Sequence, residues 1–375
     1  MRRFFAVVLL LFPLFFGCAR HDNNPPKPEK NVYRDTSRHD DYNVKIAIPT
    51  AWIEKVRHFD YKHRHANLLL REFEKYTKPD SLLKIKDEGD VDSVRRGMAL
   101  LNPLFINLDQ EPGEELVCLM GWDASYPSMA VFKNIAGNWY LVYLEEFYMF
   151  YSGPELYVSN SFSPNKTFYF RRVYERGSGV YSDGYSFYKL INNRVYHCLE
   201  LANEARIEGW GLYINQDVST SFKFNSSDLN TEDADEIWVN YKYKFFPGAV
   251  NEGDCPWCAN SDISLIEGEG GVNYIWDNKR RLYKPDISLQ QNDPEELTAK
   301  KIACFGDFGN DTLFVDAFHD QLTHIAKEGT PRQKAILKKY LALVKKDKVA
   351  TTQKLKITTQ IGGTTFYGPD TAKKK

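Results

Sequence analysis

Apolar residues change texture several times along the chain. From Phe4 to Phe16 they run without a polar residue, broken only by Pro13 and preceded by Arg2 and Arg3. About a dozen residues cannot cross a hydrocarbon core of roughly 30 Å as a helix, and a basic start before such a block is the layout of a signal peptide over 1–17. Further on, Ala66, Leu69, Leu70, Phe73 and Tyr76 recur at helical spacing and predict an amphipathic helix over 64–76. Lys78-Pro79-Asp80 stops it, and a second short helix is expected over 93–101, capped by Ser93.

From 103 to 285 the helical period gives way to short aromatic and β-branched runs between Gly, Asn, Asp and Pro. Strands are expected at 116–121, 129–134, 139–145, 156–159, 167–174, 185–191, 194–199, 211–215, 219–224, 236–246 and 273–283. Asn134–Asn138 and Asn192-Asn193 supply hairpin turns. Strands at about ten-residue spacing predict a mainly β fold of antiparallel sheets, either a sandwich or an irregular propeller-like array, with flanking N- and C-terminal helices. Helices return after Asn292-Asp293-Pro294 and again after Thr330-Pro331, where Ala335, Ile336, Tyr340, Leu341 and Val344 form an apolar stripe. The expected divisions are a tether over 18–43, a mixed helical region over 44–102, the β region over 103–285, a helical region over 286–348 and a basic tail over 349–375.

Composition narrows the class. Of 375 residues, 43% are hydrophobic and 14% aromatic, which excludes a disordered chain or a disulfide-dense mini-protein. With 49 Lys and Arg against 50 Asp and Glu, the net charge of −1 gives no global attraction to nucleic acid. The apolar block ends in Leu14-Phe15-Phe16-Gly17-Cys18, which resembles a bacterial lipobox. That resemblance implies that Cys18 becomes the lipidated first residue of a mature chain held at the membrane of the cell envelope. Ala19, rather than Asp, follows the cysteine, and this favours the outer membrane over the inner. The polar, Pro-rich stretch His21–Lys30 reads as an extended tether.

Two acidic stretches repeat a spacing. Asn107, Asp109, Glu111 and Glu115 occupy positions 1, 3, 5 and 9 of a loop, and Asp228, Asn230, Glu232 and Glu236 do the same. Alternate oxygen-bearing residues on a tight loop are the arrangement that hard cations such as calcium require. Each stretch leads into a strand. The pattern resembles FG-GAP or VCBS-type repeats of β-propellers, which implies calcium as a possible cofactor, with Pro112 and Asp233 standing where that family has Gly. The same residues also suit an Asx-type turn that holds no metal.

Cys255-Pro256-Trp257-Cys258 is open to three readings: a structural disulfide, a redox dithiol, or half of a zinc site. The Gly- and Asn-rich surroundings lack the βαβ frame of thioredoxin-like enzymes. His58, His63, His65, His319 and His324 have no metal-binding spacing and read as solvated. Aromatic strips at 140–151 and 168–170 suit a sheet core, or an exposed face that stacks on sugar rings. No signature of a nucleophile elbow, phosphate loop or dinucleotide fold is present. The expected role is therefore a non-enzymatic binding or envelope-interaction module, with a glycan or protein ligand. A glycan-binding surface lipoprotein and a thiol–disulfide protein using Cys255 and Cys258 are the alternatives.

Overall fold

A computed structural model of the chain describes residues 42–59, 66–77, 99–122, 127–147, 149–150, 155–159, 165–177, 179–208, 214–225, 236–248, 262–286, 293–307 and 311–351. Cys18, tether residues 19–41, His63, His65, Asp228, Asn230, Glu232, Cys255 and Cys258 lie outside the described residues, and the expected tether over 18–43 overruns its end, because Asn43 already opens the first strand.

Five strands make the first antiparallel sheet among the described residues: β1 (Asn43–Ile48), β2 (Leu100–Ile106), β3 (Glu115–Gly121), β4 (Ser128–Ile135) and β5 (Asn138–Glu146), in the order β1-β5-β4-β3-β2. Helices α1 (Thr50–Arg57) and α2 (Ala66–Thr77) cover one face. Trp52, Ile53 and Val56 of α1 and Leu69, Leu70 and Phe73 of α2 pack there on Leu116, Cys118, Met120, Ala130, Phe132 and Leu141. The Trp52 indole N–H donates to the Leu69 carbonyl at 3.0 Å, so the ring's one polar atom is satisfied in the core. Every residue of β3 is buried, because both faces of its sheet are covered.

The opposite face carries Val117, Leu119, Met129, Val131 and Tyr143, and these meet Phe168, Phe170, Tyr188, Leu190 and Val195 of a second sheet. That sheet contains β6 (Met149–Phe150), β7 (Leu156–Val158), β8 (Thr167–Gly177), β9 (Val180–Ile191), β10 (Arg194–Ile207), β11 (Ile214–Asn225), β12 (Glu236–Pro247), β13 (Ile266–Asp277) and β14 (Leu282–Pro285). It is a meander in the order β14-β13-β12-β11-β10-β9-β8-β6, with β7 also on β8. Its far face packs on helices α3 (Glu295–Ala303), α4 (Asp311–Ala317), α5 (His319–Glu328) and α6 (Pro331–Thr351). There Tyr243 and Phe245 meet Phe305 and Phe318 at ring separations of 5.0–6.3 Å. The layers thus run helices, sheet, sheet, helices, and the fold is mainly β and antiparallel. Of the two β arrangements expected, stacked meanders are present, not small blades around an axis.

Some expectations change. The 102/103 division falls inside β2, so the chain passes between those regions within one strand. The helix expected over 93–101 meets β2 at its C-terminal end, where Leu100 and Leu101 pair with Gly121 and Met120; residues 93–98 lie outside the described residues. The strands expected at 211–215 and 219–224 are one strand, β11. The strand expected at 273–283 is the end of β13, the turn after it and the start of β14.

The second sheet curls. The Tyr283 hydroxyl on β14 hydrogen-bonds the Thr167 hydroxyl on β8 at 2.8 Å, although five strands lie between them in the sheet order. The Lys189 ammonium lies 4.8 Å from the centre of the Trp276 ring and 5.5 Å from that of Tyr283, so a cation on β9 bridges to the last two strands.

Candidate functional site

The acidic stretch 107–115 folds into a tight loop before β3, but its charge is answered from within. Lys133 projects from β4 and is buried. Its ammonium contacts the Asp109 carboxylate, lies 2.9 Å from Glu111 Oε2 and lies 3.9 Å from Glu115 Oε1. The Asn107 side chain turns its nitrogen inward and donates to the carbonyls of Glu111 (2.7 Å) and Gly113 (2.6 Å). Asp109 Oδ1 accepts from the Glu111 N–H at 2.8 Å, and Glu115 Oε2 accepts from the Leu108 N–H at 2.7 Å.

Burial is the largest influence on Lys133 and favours the neutral amine. The hydrogen bonds to Asp109 and Glu111 outweigh it, so the net pKa is raised. Glu115 is also raised, chiefly by burial. Three of the four residues in the calcium pattern therefore meet on a lysine, and a divalent ion would have to displace it. At the second stretch, Glu236 accepts from the Asn273 amide at 3.0 Å. Among the described residues no group of three or more His, Cys, Asp or Glu is arranged to hold a metal ion.

A second ionic cluster lies where the two sheets meet. The Arg172 guanidinium contacts Glu200 and lies 3.9 Å from Glu145. Glu145 Oε2 accepts from the hydroxyls of Tyr143 (2.7 Å) and Tyr188 (2.9 Å). The His197 ring stacks on Tyr188 and approaches Glu200 at 3.7 Å. Burial above all pushes the Glu200 carboxyl up to about 7, with Arg172 opposing and Glu145 reinforcing. Such displacement often marks an active site. Here Glu145, Glu200 and His197 are buried between the sheets.

The exposed feature is the mouth of the curled sheet. β9 and β10 pair along their whole length, as do β11 and β12. β10 and β11 pair only over Glu204–Ile207 with Gln216–Ser219. The β9–β10 ladder carries a bulge between Ala202 and Glu204, at the end of the β10–β11 pairing. An open groove of about 280 Å³ sits at the split, lined by Asn203, Glu204, Arg206, Asp217, Ser219 and Thr220 with Val218 beneath.

Past the split, Tyr169, Tyr185 and Phe187 of β8 and β9 meet Phe222 and Phe224 of β11 at ring separations of 5.0–6.2 Å. All of these rings except Phe187 are half-buried. Tyr157, Tyr169 and Phe187 form a stacked column with spacings of 5.3 and 5.0 Å. Its outer ring, Tyr157, is 38% exposed. The Tyr157 phenol is pushed up to about 12, mostly by its hydrogen bond to Glu155.

Beside the column, Arg171 grips Asp183 with two bonds, Nε to Oδ1 at 2.9 Å and Nη2 to Oδ2 at 2.6 Å. Asn203 donates to Asp183 Oδ1 at 2.9 Å, and the Tyr181 hydroxyl donates to Oδ2. A carboxylate has about four acceptor sites, and here all are filled. Asp183 therefore fixes Arg171 and Asn203 in place instead of acting as a base. Arg171 also lies 3.7 Å from the partly exposed Glu204.

Of the aromatic strips seen in the sequence, Phe168 and Phe170 are core, and among the described residues Tyr169 alone reaches the mouth. Tyr157, Tyr185, Phe222 and Phe224 were missed, although the pairs Tyr185-x-Phe187 and Phe222-x-Phe224 carry the period-two signal of one strand face. Arg171 and Asp183 carried no local signal. His58, His319 and His324 are exposed. Cys118, Cys198 and Cys304 are buried thiols, and burial pushes Cys118 and Cys304 well above the usual thiol range. No helix among the described residues is long and apolar enough to cross a membrane. No family model, curated protein or solved structure matches the chain.

Proposed function

We propose that the chain is a lipid-anchored, non-enzymatic binding module of the cell envelope, and that it takes a carbohydrate chain at the aromatic mouth of its second sheet. One observation carries the reading. The column Tyr157–Tyr169–Phe187 presents an exposed ring, and two residues along β8 from Tyr169 the Arg171 guanidinium is fixed by Asp183, which also holds Asn203. A sugar ring offers an apolar C–H face that packs on an aromatic plane. It also offers hydroxyls that exchange hydrogen bonds with guanidinium, amide and carboxylate groups. Both halves of that chemistry occur on the second sheet. At about 280 Å³ the open groove falls just below the usual range for enclosed small-ligand sites, so a chain is laid across it and not engulfed. The filled acceptor sites of Asp183 argue for recognition over catalysis. The anchor rests on Gly17-Cys18 behind the apolar block.

The test is a glycan array followed by titration of tyrosine fluorescence with the best hit. Tyr157→Ala removes an exposed ring and leaves the core intact. It is expected to weaken binding about tenfold, the equivalent of about 1.4 kcal/mol. An array without hits, or a Tyr157→Ala chain that binds as the parent does, overturns the glycan reading. Mass spectrometry of the mature chain is expected to find acyl groups on Cys18, and an unmodified soluble product would remove the anchor.

A further inference from the structure

The charge of this protein is divided along its length. Residues 331–375 contain 12 Lys and Arg against 2 Asp, whereas residues 1–330 contain 37 against 48. A nearly neutral total thus hides a strongly basic end on an acidic body, and such an asymmetry orients a molecule in the field of a charged surface.

The structure shows how the basic end is presented. Helix α6 turns Leu337, Tyr340 and Val344 into the core, and the Tyr340 ring lies 6.4 Å from that of Phe314. Gln333 Nε2 donates to the Ser264 carbonyl at 3.3 Å, and Arg332 pairs with Asp262 at 2.5 Å, which pins the start of the helix to the body. The other side is left to solvent, with Lys334, Lys338, Lys339 and Lys345 exposed. At 100° per residue, Lys334, Lys338 and Lys345 fall within about 40° of one another around the axis. Asp347 is the only acid in the helix sequence.

We infer that the outer face of α6 docks on an anionic phospholipid surface. Charge complementarity selects an anionic partner. The choice of lipid rests on the anchor reading, because a chain tied at Cys18 already has such a surface at high local concentration. The acidic remainder is repelled by the same surface, so docking turns α6 toward the membrane and fixes the orientation of the body. Each lysine brought near an anionic bilayer strengthens binding about fivefold, equivalent to about 1 kcal/mol.

The experiment uses the Cys18→Ser chain, which has no acyl anchor, and cosedimentation with phosphatidylcholine vesicles with or without phosphatidylglycerol. Binding is expected only with the anionic lipid. It should be lost as salt rises and the screening length falls from about 10 Å at 0.1 M to about 3 Å at 1 M. Changing Lys334, Lys338 and Lys345 together to Gln is expected to weaken it about a hundredfold. Changing the same three to Arg is expected to preserve it, and circular dichroism checks both folds. Changing Lys354, Lys356 and Lys373–Lys375 to Gln separates the tail from the helix. The inference is overturned if only the tail variant loses binding, if neutral vesicles bind equally, or if the basic face instead binds duplex DNA or a second copy more tightly than it binds lipid. The Gln variant keeps its response to glycan, so failure here is distinct from failure of the binding reading.

Discussion

Lys133→Met keeps an apolar stem of similar size and deletes one buried charge. In the parent, that ammonium lies among Asp109, Glu111 and Glu115, and two of those carboxylates are buried with it. Glu111 is exposed and contributes little. Removing one member of a buried ionic group leaves the other charges uncompensated, at a cost of about 3–5 kcal/mol. For a folded body of this size, that lowers the melting temperature by about 5–8 °C. The loss depends on pH in a definite sense. The Glu115 carboxyl already lies above its usual range, mainly through burial, with Asp109 adding to the effect and Lys133 opposing it. Without Lys133 its pKa rises further. A carboxyl raised in the folded state takes up a proton at low pH and costs stability as pH climbs past its unfolded pKa. The deficit is therefore small near pH 5 and full near pH 8. Urea unfolding of both chains at the two pH values measures it, and a repeat with calcium or a chelator tests the seat. The parent midpoint is expected to ignore both additions. A deficit below about 1 kcal/mol at pH 8, or one that does not change with pH, would show that Lys133 does not hold the loop. A parent stabilised by calcium would show that metal displaces it.

Two further perturbations follow from the packing. Glu200, pushed up to about 7 mainly by burial, keeps its proton in the folded chain after the unfolded chain has released it. Its own contribution to stability is thus greatest below about pH 4.5 and falls until about pH 7, so Glu200→Gln should remove a few kcal/mol of that fall in unfolding curves at pH 5 and 8; parallel curves would count against the assignment. At Gly184 a Cβ would lie 2.2 Å from the Leu201 carbonyl oxygen and 2.5 Å from the Tyr174 ring. Because the nearer atom belongs to the paired backbone of β10, Gly184→Ala is expected to cost about 1–3 kcal/mol by urea unfolding, and a chain as stable as the parent would show that the strands yield.

Local signals in the sequence were readable where the turn chemistry was local. Asn192 and Asn193 sit at φ 52° and 63°, and Ala136 and Gly137 at 51° and 84°, which is the backbone a two-residue hairpin needs. Both hairpins fall where the asparagines place them. β1 and α1 escaped because they are short and border the tether. β11 was split in two because Gln216-Asp217 reads as a turn. In the fold Gln216 is buried, its amide donates to the Asp307 carbonyl and its side-chain oxygen accepts from the Gly306 N–H. The site was less legible for a related reason. Lys133 meets Asp109 across 24 residues, Arg171 meets Asp183 across 12, and Tyr169 meets Phe222 across 53. Such contacts depend on strand register and on how far the sheet curls. The acidic spacing at 107–115 was real, but its counter-ion comes from the neighbouring hairpin.

The same geometry explains why the most displaced ionisations and the most accessible surface lie in different places. Between the sheets, Glu145 gathers the hydroxyls of Tyr143 and Tyr188, and Arg172 stands between Glu145 and Glu200. The Asn43 side chain exchanges two hydrogen bonds with the Val195 backbone, at 2.9 and 3.0 Å. Apolar contacts alone would let two sheets slide, whereas a misplaced buried charge or amide loses directional partners it cannot replace. These groups fix how one sheet sits on the other, and to act on a ligand they would have to come apart. The mouth has the opposite construction. Its β10–β11 ladder stops at Glu204 and Ser219, and past that point Phe222 and Phe224, still paired to β12, face the rings of β8 and β9. Rigid anchoring at Asp183 next to that point holds the polar groups still while leaving the aromatic plane of Tyr157 uncovered. A binding surface needs that combination, and among the described residues the mouth is where it occurs.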